Sequence, residues 1–378
     1  MPGLPVIVRA SGSHAFSENA RFLDLINGFG AVFLGHGHPR VAQALRDQLE
    51  RVWLCARYPT DAAARADTLI REILPPGMKH AGLYSTGMEA SEFALRLAAV
   101  HTGRNEFIGF SRNMHGKSAL TAALCWSNAP IRSESAHMLP FVAEADEKDV
   151  LGELERALSS RAVAAVIVEP IQGSNGAREA SAEFVERMIA LCREHGSLCI
   201  FDEILTGLYR TGTRFYSDRL RAKPDVLLFA KSMGNGFPVS SVAIRDDIGV
   251  PPAALPGSTF SGNPLACAAV VGTLETMREL PMSRMVEDIE RVVRSAFDKP
   301  QSTGVTLRGR GALWALELDQ RIPMEDVLSD IQKSGMLVSS YGRHIRLLPA
   351  ATIDLAELRA ACAQIARHCA AAFAPARA

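Results

Sequence analysis

The stretch LLFAKSMGNGFP (227–238) runs four apolar residues straight into Lys231 and places Gly234 and Gly236 just beyond it. Two more apolar runs end in a charge: AVAAVIVEP (162–170) at Glu169 and SLCIFDE (197–203) at Asp202. Lysine is rarely buried without a partner, so an amine at such a position calls for a chemical reason. Desolvation lowers a lysine from its ordinary value of ~10.4 and turns a poor nucleophile into a usable one. The three residues lie 33 and 29 positions apart, each about one βαβ unit. In a parallel sheet they would converge beyond the carboxyl ends of the strands, where ligands bind. The bare pattern fits a salt-bridge cluster at a sheet rim as well as an active site with a nucleophilic lysine.

A second feature favours the active site. In LYSTGMEASEFALRLAAVHTG (83–103), Thr86 followed by Glu89 is a capping box. Ala90, Phe93, Ala94, Leu97 and Ala98 then mark a helix that Gly103 stops. Gly87 lets a ligand approach the backbone, and free amides at a helix N-terminus attract anions. Every capped helix begins this way, so a phosphate needs support from elsewhere. A phosphate site combined with a strand-end lysine narrows the cofactor to pyridoxal phosphate. Its aldehyde condenses with an amine, and its ring nitrogen needs a carboxylate.

The middle of the chain has the pattern of a scaffold for these residues. Apolar, β-branched runs at 162–170, 197–203, 225–231 and 239–244 alternate with helical segments such as SAEFVERMIALCREHG (181–196). Strands apolar on both faces, alternating with helices, predict an α/β domain with a mostly parallel sheet covered on both sides. Further on, GVTLRGRGALWALEL (304–318) alternates like antiparallel strands, and 324–335 and 354–373 read as helices. This pattern places a large domain at 46–275 and a smaller α+β domain at 1–45 and 276–378.

The 378 residues carry no net charge, and no basic stripe marks a nucleic-acid or membrane partner. Seven cysteines lie scattered without a C-x-x-C pair, which fits reduced thiols in the cytoplasm better than disulfides or zinc. No signal peptide or transmembrane run is visible. GFSRNMHGKS (109–118) misses the nucleotide P-loop because Ser111 stands where glycine is required. GHGHP (35–39) lacks further metal ligands.

These residues resemble the class III aminotransferases, pyridoxal-phosphate enzymes of fold type I. The likeness runs in order along most of the chain: INGFGAVFLGHGHPRVAQAL, STGMEASEFALRLA, NMHGKS, VEPIQG, FDEILTGLYRTG, AKSMGNGFP, GSTFSGNPLACAA and IRLLP. The resemblance implies a large domain with a seven-stranded, mostly parallel sheet and a homodimer with active sites at the subunit interface. It implies a transaminase that moves an amino group from a donor to a keto acid or aldehyde by a ping-pong mechanism. Lys231 would form the aldimine and shuttle the proton, while Asp202 would pair with the pyridinium nitrogen. Thr86, Gly87 and Met88 would hold the phosphate. Thr259, with Ser258 beside it, would reach the cofactor of the neighbouring subunit. Met114, His115, Glu169 and Leu205 would surround the ring. Arg346 would receive a substrate carboxylate, with Phe29 and Ser174 on the substrate side.

Three positions depart from the family pattern. Met114 stands where an aromatic residue usually covers the ring, Leu205 where glutamine often reaches the phenolic oxygen, and Ser174 where several members carry glutamate. A racemase, decarboxylase or aminomutase would use the same cofactor contacts. A non-catalytic binding protein on this fold would be expected to lack Lys231 or Asp202, and both are present.

Overall fold

The computed structural model of the chain describes residues 4–55, 58–142, 144–249, 251, 254–297 and 304–373. Three short antiparallel strands open it: β1 (Arg9–Ser11), β2 (His14–Phe16) and β3 (Arg21–Asp24). The main sheet then collects β4 (Met78–Tyr84), β5 (Glu106–Phe110), β6 (Ala136–Leu139), β7 (Val163–Val168), β8 (Leu198–Asp202), β9 (Val226–Phe229) and β10 (Ser240–Arg245). Its order is β4-β10-β9-β8-β7-β5-β6, with β10 running against both its neighbours. The central strands β7, β8 and β9 are parallel and adjacent, so their carboxyl ends share one edge.

Every residue of β7 and β9 is buried, as strands covered on both faces require. Val166, Val168, Phe201, Leu227 and Phe229 pack into one core, and Ile167, Ile200, Leu228 and Val242 into the other. Each such side chain contributes about 1.5–3 kcal/mol by leaving water. Helices α1 (Pro39–Leu49), α2 (Asp61–Ile73), α3 (Gly87–Thr102), α4 (Glu147–Ser160), α5 (Ala182–Glu194) and α6 (Pro264–Glu279) surround this sheet. α3 supplies Ala90, Ala94 and Leu97 to one core, and α5 supplies Phe184 and Met188 to the other. α1 and α2 both pack on α6.

After α7 (Met282–Ala296), the chain forms β11 (Val305–Arg310), β12 (Leu313–Leu318), α8 (Met324–Lys333), β13 (Met336–Leu337), β14 (Ser339–Tyr341), β15 (His344–Leu347) and α9 (Leu355–Phe373). The antiparallel sheet is ordered β11-β12-β15-β14. β13 pairs with β3, which joins the two ends of the chain. The strands and helices expected from 162 to 244 and from 304 to 373 are present within two residues at most ends. One boundary has a consequence for chemistry. The ladder stops at Phe229, Ala230 turns away with φ −155° and ψ −117°, and Lys231 begins a short 3-10 turn rather than ending the strand.

Candidate active site

Lys231 leaves the sheet beside Asp202, the last residue of β8, and Glu169, one residue past β7. Half-buried, it lies on the wall of a cavity of about 310 Å³ together with Thr86, Gly87, Met88, Met114 and His115. Burial holds its amine below the ordinary lysine value; the Asp202 and Glu169 charges oppose that shift, and Arg346 and Arg210 add to it. The result is an amine with a reduced hold on its proton.

The expected capping box is present. Thr86 Oγ1 accepts from Glu89 N at 3.2 Å, and Glu89 Oε2 accepts from the amides of Ser85 and Thr86, both at 2.9 Å. The next two amides of the first turn, Gly87 and Met88, have no intrahelical acceptor and are left for an anion. Ser240 Oγ donates to Thr86 O at 2.7 Å and braces the turn from β10. A Cβ on Gly87 would lie 2.7 Å from Ile204 Cδ1, so glycine leaves room for the Ile204 side chain against this helix start. Met88 can offer its amide alone, since its side chain has no hydroxyl.

Asp202 is buried, with Oδ1 accepting from Ile204 N at 3.0 Å and Oδ2 bonded to His115 Nδ1 at 2.7 Å. His115 Nε2 faces Asn113 Nδ2 at 3.3 Å. Glu169 Oε2 accepts from Met114 N at 2.7 Å and Oε1 from Gly173 N at 3.3 Å, fixing the segment that carries Met114 and His115. Burial and the repulsion of Asp202 push the Glu169 carboxyl up. Two buried carboxyl groups thus stand behind the cavity, Asp202 tied to His115 and Glu169 to the Met114 amide.

The other side of the site is built from irregular backbone. Asn27, Gly28, Phe29 and Gly30 have φ of 46°, 58°, 54° and 85°, four left-handed residues in a row. For Phe29 this costs roughly 1–2 kcal/mol, whereas asparagine tolerates the region better. Asp24 Oδ1 holds the turn by accepting from Ile26 N (2.8 Å) and Asn27 N (2.9 Å), and Asn27 Nδ2 donates to Leu348 O at 3.0 Å. The turn exposes Phe29, whose ring lies 5.3 Å from the guanidinium of Arg346. Arg346 is buried, pairs with no carboxylate among the described residues, and has an unpartnered Nε.

Besides Asp202, Glu169, Phe29 and Arg346, four expected site residues, Leu205, Ser258, Thr259 and Ser174, lie off the cavity wall. Leu205 fills the space against Gly30 and Gly173, where a Cβ would meet it at 2.7 and 2.2 Å. Ser258 and Thr259 are exposed on the loop before α6. Ser174 is half-buried just beyond Gly173. Residues not singled out from the sequence also line the cavity, among them Ser85, Ala31, Ile204 and Val239. Ser85 and Ile204 adjoin Thr86 and Asp202, so proximity to those residues was the available signal. Nothing local marks Ala31 or Val239.

The chain matches the family described as aminotransferase class III over residues 3–369. It is similar to the acetylornithine aminotransferase of Methanopyrus kandleri, 32% identical over 92% of this chain and 90% of that protein. The 5-aminovalerate aminotransferase DavT of Pseudomonas aeruginosa is 32% identical over 94% of this chain and 91% of its own. In structure the chain is similar to the ornithine aminotransferase of Toxoplasma gondii, with a TM-score of 0.88, 31% identity, and 98% of this chain and 92% of that one covered.

Proposed function

The chain belongs to the class III aminotransferases, and from that premise we propose how its residues divide the work. It is a transaminase of fold type I that depends on pyridoxal phosphate. When bound, that group supplies an aldehyde and a ring that takes up the electron pair released at the amine-bearing carbon. The residues present fit it: an amine and two free helix amides meet at one cavity, with a buried carboxylate behind them. Lys231 would hold the aldehyde end, the Gly87 and Met88 amides the phosphate, and Asp202 the ring nitrogen. Thr86 keeps those amides aimed, and Met114 covers a face through its thioether.

Lys231 Nζ, whose hold on its proton burial weakens, takes a proton from the substrate carbon and returns one later. His115 fixes the Asp202 carboxylate in place, and Glu169 fixes Met114. Donor and acceptor use the site in turn, a ping-pong cycle. We propose a substrate with a terminal amine on a short carbon chain that carries a carboxylate, its acceptor being a keto acid or aldehyde. The names of the similar enzymes support this, as does Arg346, a buried guanidinium suited to a carboxylate. Phe29 and Ser174 then flank the substrate.

We further propose a homodimer in which Thr259, with Ser258, reaches the partner's cofactor. Their exposure, and that of Phe260, Trp53 and Tyr58, supports an interface there. Free cysteines, six of the seven buried, support a cytoplasmic location. The division into 46–275 against 1–45 with 276–378 stands as a proposal alongside.

The observation that carries this reading is the amine of Lys231 on the same cavity wall as the amides of a capped helix. Borohydride reduction of the loaded protein followed by peptide mapping should label Lys231. A donor and acceptor panel should then show amino transfer that needs both partners. A label on another lysine, or racemised or decarboxylated product without an acceptor, overturns the corresponding part.

A further inference from the structure

Arg210, in LTGLYRTG, is fully buried and has no carboxylate partner among the described residues. Its two terminal nitrogens bond only to backbone, and its Nε is unpartnered. Nη1 donates to Ala312 O at 3.1 Å and Pro349 O at 2.8 Å, and Nη2 donates to Gly30 O at 2.8 Å. The Phe33 ring covers it at 4.0 Å. These carbonyls belong to three separate pieces of chain. Gly30 closes the left-handed turn between Phe29 and the cavity residue Ala31. Ala312 precedes β12, the strand paired with β15, and Pro349 follows β15, which bears Arg346.

A buried cation without a counter-charge is expensive, and an apolar residue of similar volume is often as stable or more so. Burial alone pulls Arg210 down to about 9. A group retained under that cost has a task that stability does not explain.

We propose that Arg210 is a positioning residue for substrate recognition: it holds the turn that presents Phe29 against the strand that presents Arg346, touching neither substrate nor cofactor. The carboxylate site is the geometry between those two side chains, and Arg210 sets it. This rests on the reading of Arg346 as the carboxylate receptor. Other ties cross the same seam, Asn27 Nδ2 to Leu348 O and Leu348 N to Leu25 O, so the fold outlasts the loss of this one.

The test uses the full chain with Arg210→Lys and, as reference, Arg346→Gln. Calorimetry measures glutarate, a dicarboxylate without an amine, binding to the cofactor-free protein. Kinetics of the loaded enzyme compare two amines: 5-aminovalerate, and pentylamine, its counterpart lacking the carboxylate. Arg210→Lys should weaken glutarate binding about tenfold and raise KM by a similar factor for the amine that bears a carboxylate. It should leave kcat/KM for pentylamine within about twofold. If Arg346→Gln loses glutarate and Arg210→Lys does not, the inference fails and the carboxylate reading stands. If neither variant loses it, or the parent protein never binds it, the carboxylate reading fails and the inference with it. An equal drop on both amines marks Arg210 as merely structural and also overturns the inference. Should Arg210→Lys not fold, Asn27→Ala cuts the parallel tie and must show the same selective loss, failing which the inference is abandoned.

Discussion

On one side of Lys231 a capped helix of 16 residues offers its first amides; on the other, four left-handed residues hold Phe29 beside Arg346. The first side is assembled from neighbours in sequence. Thr86, Glu89 and the amides they satisfy lie within five residues. The second is assembled across the chain, with Arg210 bonding carbonyls 180 and 139 positions away. The start of the capped helix is thus shaped by local rules, and the turn that holds Phe29 by long-range ones.

That contrast can be broken at several points. Lys231→Ala should lower kcat by at least about 10⁴-fold with either type of amine, since both proton transfer and cofactor attachment are lost; substantial turnover by steady-state assay would remove the lysine from its role. Asp202→Asn should cost roughly 10²–10³-fold in kcat, again irrespective of a substrate carboxylate. A loss confined to KM would move Asp202 to the recognition side.

The loop from Asp202 to Arg210 connects the two sides and is followed by Tyr216 and Ser217, whose amides Glu203 accepts at 2.5 and 2.8 Å. Burial pushes Glu203 from 4.5 up to about 7. A carboxyl raised in the folded state contributes stability that is whole below its unfolded value and lost as pH rises through the folded one. Denaturant melts should therefore weaken by up to roughly 3 kcal/mol between pH 4.5 and 7. Glu203→Gln should flatten that slope, and an unchanged slope would place the titration elsewhere.

The smallest effects have opposite signs. Thr86→Ala removes a helix cap and should cost about 1 kcal/mol of stability. Phe29→Gly relieves a left-handed residue whose ring is exposed, and should gain about 0.5 kcal/mol after the added unfolded-state entropy. It should raise KM for carboxylate amines at the same time. Thermal melts of the two variants shifting in the same direction would contradict the distinction.

How much of this was readable in advance follows the same line. Lys231, Asp202, the capping box and the strands around them were legible because burial and periodicity act within a few residues. The left-handed turn was not, since Phe29 adopts a conformation its own preference opposes, and distant bonds hold the turn. Arg210 stood inside a motif, yet its partners come from both ends of the chain. Leu205 was placed beside the ring by the family position it occupies, and its side chain packs into the space that Gly30 and Gly173 leave.

The bonds joining the first strands to the last carry a consequence for how the protein is made. Leu25, Asn27, Gly30 and Phe33 are among the earliest residues synthesised, and they bond to Leu348, Arg210 and Ala351, two of these among the last. During translation the lysine-bearing sheet can form while the turn still waits for its partners. Contacts of such long sequence separation form slowly, and exposed apolar segments wait with them. A ribosome stalled before residue 346 would hold a chain with its lysine-bearing sheet nearly built and the turn around Phe29 still without its C-terminal partners.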